Sequence, residues 1–69
     1  MSSLKKKFGR KIAEYRVRAG LTQQQLAEKS SYSIEFISLV ERGINAPSVE
    51  GCDRLARAMG VELMELFLF

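Results

Sequence analysis

The 69 residues contain no histidine and a single cysteine, Cys52. Without a histidine or a cysteine pair, the usual ligands of a transition-metal site are missing. The commonest general base is missing too, the carboxylates show no paired arrangement, and no glycine-rich loop is present to cradle a phosphate. Enzyme chemistry, cofactors and a small-molecule ligand are therefore not expected. A lone cysteine excludes an internal disulfide and suits a reducing cytoplasm. No apolar run is long enough to span a bilayer, so no membrane partner is expected. Met1 to Lys7 is basic, but no apolar stretch follows it, so it does not read as a signal peptide. No internal repeat or linker is visible.

What is present fits one small domain spanning 1–69, with no second domain for sensing a ligand or tethering a dimer. A hydrophobic content of 46% is ordinary for a globular chain. The formal net charge of +3 hides an asymmetry. Lys5, Lys6, Lys7, Arg10, Lys11, Arg16 and Arg18 are seven of the 11 basic residues, and only Glu14 opposes them in the first 18 positions. That segment carries +6 and the remainder −3. A basic segment of this kind is either a solvated helix face or the footprint of a polyanion partner.

Apolar spacing predicts an all-α fold, a bundle of five helices. Residues 1–3 are expected to fray. Leu4, Phe8, Ile12, Tyr15 and Ala19 recur at intervals of four and three, one face of a first helix that Gly20 ends. Gly9 reads as a mild flaw in it. Thr22 and Gln25 form a capping box for a second helix, in which Leu26 and Ala27 are apolar. Ser30-Ser31-Tyr32-Ser33 breaks the chain into a turn, and Ser33 can cap a third helix that Gly43 ends. Ser48 can cap a fourth, with Val49, Cys52, Leu55, Ala56 and Met59 as its buried stripe and Gly51 as a weak point. Val61 to Phe67 reads as a short fifth helix. Cys52 reads as a small core residue, with a redox role as the lesser alternative.

The stretch from about 22 to 43 organises the rest. In its second helix Phe36, Ile37, Val40 and Glu41 share one arc, and Glu35, Ser38, Leu39 and Arg42 share the other, with Ile34 at its edge. A short helix anchored on one side and presented on the other suits a DNA groove.

These residues resemble the helix-turn-helix of the Cro/phage-repressor class, the XRE type, and the resemblance runs over about residues 8–67. It is carried by Gly20-Leu21-Thr22-Gln23, Leu26-Ala27-Glu28-Lys29, Ile37-Ser38, Val40-Glu41-Arg42-Gly43, Pro47-Ser48, Leu55-Ala56, Gly60-Val61 and Leu66-Phe67. Three positions depart from the pattern. Ser31 stands where glycine is usual, which should cost about 1 kcal/mol if the backbone there has positive φ. Ser30 stands where an apolar residue is common, and Gly51 where a helix former is.

The resemblance implies a lambda-repressor-like domain that binds double-stranded DNA as a homodimer, most simply a repressor occupying a palindromic operator. It places Ile34, Glu35, Ser38 and Leu39 against base edges. Ile34 and Leu39 suit thymine methyl groups, and Glu35 suits the amino group of cytosine or merely favours its helix start. Gln23, Arg42 and Asn45, with Arg10 and Arg18, fall near phosphates. Arg16 and Glu41 match a salt bridge tying the first helix to the end of the third. Leu63, Met64, Leu68 and Phe69 cannot all face one core, which makes them the expected dimer interface. The alternatives are a restriction–modification controller and an antitoxin-like protein whose main task is binding a protein partner.

Overall fold

The computed structural model describes residues 3–69. Four α-helices and one 3-10 turn follow in order: α1 (Leu4–Arg18), α2 (Gln23–Ser30), α3 (Ile34–Glu41), α4 (Val49–Met59), and the turn Leu63–Phe67. Each helix begins on a serine or threonine that satisfies a backbone donor of the first turn. Ser3 Oγ accepts from Lys6 N–H at 3.1 Å, so this residue caps α1 rather than fraying, while residues 1 and 2 lie outside the described part. Thr22 and Gln25 cap α2 reciprocally at 3.0 and 2.9 Å. Ser33 and Ser48 cap α3 and α4 at 3.1 and 3.0 Å.

The core is one cluster: Phe8, Ile12, Leu26, Ala27, Ile37, Val40, Cys52, Leu55, Ala56, Met59 and Leu66. α1 packs on α3, and α2 packs on both α3 and α4. The outer members of two predicted stripes do not join it. Leu4 and Ala19 are exposed at the ends of α1, and Val49 is exposed at the first position of α4. Terminal turns project past the neighbouring helices, so periodicity alone overcounts there.

The expected fifth α-helix is a five-residue 3-10 turn. At three residues per turn, Leu63 and Leu66 stack on one side. Leu66 is fully buried and Leu63 packs partly against the core. The Glu65 carboxylate accepts from Glu62 N–H at 2.9 Å and holds the start of the turn. Phe67 lies against Phe8 with ring centroids 5.2 Å apart.

Neither helical glycine is a flaw. At Gly9 a Cβ would collide with the Val40 carbonyl and stand 3.0 Å from the Glu41 carbonyl. Gly9 is where α1 meets the last turn of α3. Gly9→Ala therefore gains helix propensity yet should lose about 1–3 kcal/mol through overpacking against rigid backbone, read as a lower urea midpoint at unchanged slope. At Gly51 a Cβ would collide with the Tyr32 hydroxyl, because that ring lies across α4.

The turn between α2 and α3 holds the unusual backbone. Ser31 has φ 63° and ψ 33°, the only positive φ outside glycine among the described residues. Its neighbour Ser30 is fully buried, and its hydroxyl is satisfied by donating to the Leu26 carbonyl at 2.7 Å. Ser31→Gly should raise stability by about 0.5–1 kcal/mol, and so the melting temperature by roughly 2–8 °C, measurable by thermal circular dichroism.

Candidate nucleic-acid interface

α3 is held from behind by a polar network that reaches three elements. Arg16 Nε donates to Glu41 Oε2 at 2.6 Å, and its Nη2 to Glu41 Oε1 at 3.2 Å. Arg16 Nη1 donates to the Leu21 carbonyl at 2.8 Å, fixing the segment that leads into α2. Gln23 Nε2 donates to Glu41 Oε1 at 3.0 Å. The Glu41 side chain is only 8% exposed and that of Arg16 17%, so three charge-assisted bonds are spent on a nearly dry carboxylate. One acid at the last position of α3 thereby fixes α1, the start of α2 and α3 relative to each other.

The opposite side of α3 is open. Ile34, Glu35, Ser38 and Leu39 line a shallow surface groove together with Gln23 and Arg42. Glu35 and Arg42 are exposed, Ile34 is 38% exposed, and Ser38 and Leu39 are half-buried. Gln23 is thus shared between the buried network and the outer face. The unpaired first-turn N–H groups of α2 lie beside it, at the positive end of the helix. Asn45 sits just past the end of α3, where the Ile44 and Asn45 N–H groups both return to the Leu39 carbonyl, at 2.9 and 3.3 Å.

Arg10 and Arg18 are not brought to this face. They line a separate groove on α1 with Phe69, and the two grooves have no residue in common. Arg18 is also paired to Glu14 at 3.2 Å. The predicted dimer residues divide as well. Met64 and Leu68 are exposed, Leu63 leans on the core, and Phe69 turns toward α1. Burial pushes the Cys52 thiol up, away from the reactive thiolate. No helix among the described residues is long and apolar enough to cross a membrane.

Two residues bearing on the site carry no signal in the motif. Arg54 of α4 donates from Nε to the Ser30 carbonyl at 2.9 Å, with its guanidinium 4.8 Å from the Tyr32 ring centroid. It clamps the turn from which α3 departs. Lys6 lies across Gly43, so close that a Cβ there would stand 2.8 Å from its Cα, which seats α1 on the loop following α3.

Two short helices joined at a tight turn, the second with a free outer face beside the N-terminus of the first, define the helix-turn-helix class of DNA-binding proteins. The profile of the family described as Helix-turn-helix matches residues 12–66. The HTH-type transcriptional regulator y4dJ of Sinorhizobium fredii is 36% identical over 63 residues, which are 91% of this chain and 82% of that protein. The restriction-modification controller protein C.AhdI of Aeromonas hydrophila superposes with a TM-score of 0.88 at 36% identity, over 91% of this chain and 96% of that one. The clp gene regulator ClgR of C. glutamicum superposes at 0.89 with 27% identity, over 96% and 86%. The chain belongs to the helix-turn-helix family of transcriptional regulators, of the XRE type, and is a DNA-binding regulator.

Proposed function

We propose that the protein represses transcription in the cytoplasm by binding a palindromic operator as a homodimer. α3 lies in the major groove with Ile34, Glu35, Ser38 and Leu39 at the base edges. Gln23, Arg42 and Asn45, joined by Lys6, meet the phosphates on either side. The observation that carries this reading is the opposed treatment of the two sides of α3. Its inner side ends in a carboxylate gripped by Arg16 and Gln23, and its outer side is an open groove of mixed apolar and polar groups. A rigidly held helix with a free outer face is what base reading requires.

Selection from random duplexes followed by gel shift tests it. An enriched site with two-fold symmetry and half-sites about 10 bp apart, or a multiple of that, is expected. No enrichment, with a tight protein partner in a pull-down, would favour the antitoxin-like alternative. Control of a restriction–modification system is the second reading, supported by the similarity to C.AhdI along almost its full length.

Met64 and Leu68, 69% and 59% exposed, are the proposed centre of the subunit contact. Met64→Asp with Leu68→Asp should convert dimer to monomer in analytical ultracentrifugation without altering the helical circular dichroism. A dimer that survives both changes has its interface elsewhere.

A further inference from the structure

α1 turns one face directly away from the core, and with Phe69 that face forms a shallow, open groove. Lys7, Arg10, Lys11 and Arg18 line it, with Val17 and Phe69 supplying its apolar part. Val17 is 65% exposed and Phe69 51%. The one acidic side chain lining it, Glu14, is already engaged by Lys11 at 3.4 Å and Arg18 at 3.2 Å. Four cationic side chains against one acidic one leave the side chains that line the groove predominantly positive. Lys11 and Arg18 each also lie over the Tyr15 ring, 5.5 Å from its centroid, so two of the cations are positioned by an aromatic face as well as by Glu14.

Three features separate this surface from a phosphate track. It shares no residue with the groove on α3. Arg18 is rotated about 200° around α1 from Arg16, the residue that points at α3. And a DNA backbone is held by cations and polar hydrogen-bond donors, drawing nothing from exposed valine and phenylalanine side chains. Apolar surface framed by charge of one sign fits a peptide that carries the opposite charge around an apolar anchor.

We infer that the α1 groove docks an acidic segment of a partner protein, with a leucine or phenylalanine seated against Val17 and Phe69 and flanking aspartates or glutamates paired to Lys7, Lys11 and Arg18. Because the groove lies apart from α3, the protein holds such a partner and DNA at the same time.

Amide chemical shifts of the full chain test this with three probes. The first is a set of short peptides in which a leucine–phenylalanine pair is stepped through a run of glutamates. The second is an oligoglutamate of equal charge, and the third a short random-sequence duplex. At least one stepped peptide should move amides of residues 7–18 and 69 and bind about tenfold more tightly than the oligoglutamate. Val17→Asp, at an exposed position, should weaken that peptide about tenfold and leave the duplex-induced shifts at α3 unchanged. Lys7→Glu should weaken both the peptide and the oligoglutamate. Equal affinity for oligoglutamate and peptides would reduce the groove to a general anion surface. Duplex-induced shifts as large here as at α3 would make it a phosphate track. No peptide binding, or binding indifferent to Val17→Asp, would likewise overturn the assignment. The duplex arm reports on α3 separately, so failure of the docking groove and failure of DNA binding are distinguishable.

Discussion

Replacing Arg16 by alanine should cost about 2–4 kcal/mol of stability, a large part of what a domain this small possesses. The loss comes from what is left behind. Glu41 would keep one bond, from the uncharged Gln23 amide at 3.0 Å, and lose both guanidinium contacts, at 2.6 and 3.2 Å, while remaining nearly buried. The Leu21 carbonyl would lose its donor as well. At roughly 4–8 °C per kcal/mol for a domain of this length, the melting temperature should fall by about 10 °C or more. Arg16→Lys should recover only part of it, since an ammonium cannot span both carboxylate oxygens and the Leu21 carbonyl in one plane. Removing both charges with Arg16→Met and Glu41→Leu should destabilise less than Arg16→Ala alone, because no uncompensated charge remains. DNA binding by Arg16→Ala should fall in step with the folded fraction and return at low temperature. An unchanged melting temperature with lost DNA binding would instead make Arg16 a phosphate contact.

That pair shows which features a single chain of letters makes legible. The helix starts were readable because capping is local: Thr22 with Gln25, Ser33 and Ser48 each satisfy a donor three residues on. The outer arc of α3 was readable because helical phase is local too, and Ile34, Glu35, Ser38 and Leu39 share one groove. Long-range placement was not readable from phase. Gly9 and Gly51 looked like weak points because their reason for being glycine lies 31 positions away at Val40 and 19 back at Tyr32. Arg54 offered no pattern because its partner is a backbone carbonyl, Ser30, which any residue could supply. The basic segment is visible as composition, and the resemblance already sets Arg16 apart with Glu41; what is not visible is that Arg10 and Arg18 line a groove separate from that of α3. The last element is a 3-10 turn where the spacing predicts a helix, because the three-residue interval of Leu63 and Leu66 satisfies a 3-10 turn as well as an α-helix.

With α3 in the major groove, side chains of its outer arc and those flanking it should fail in different ways. Leu39→Ala should weaken binding to the selected site by about 1–3 kcal/mol and leave binding to scrambled DNA almost untouched, because only a base contact is lost. Leu39 is half-buried in the open groove, and its backbone carbonyl anchors Ile44 at 2.9 Å whatever the side chain, so the variant keeps the loop after α3 in place. Replacing the T·A pair beneath it with U·A removes only the methyl group; this should reproduce the loss and make Leu39→Ala silent. Arg42→Ala should behave otherwise. Arg42 is exposed at the end of α3, and among the described residues its side chain makes only a long bond of 3.4 Å, to the Ser38 carbonyl, so its charge is available to a phosphate. Its loss should weaken all sequences alike and lower the slope of log affinity against log salt by about one unit per subunit. Salt titrations of the wild type and both variants, on the selected site and a scrambled one, separate the two outcomes. Equal losses on both DNAs for Leu39→Ala would take base reading away from α3. A salt slope unmoved by Arg42→Ala would take the phosphate contact away from its C-terminal end and shift it toward Gln23, Asn45 and Lys6.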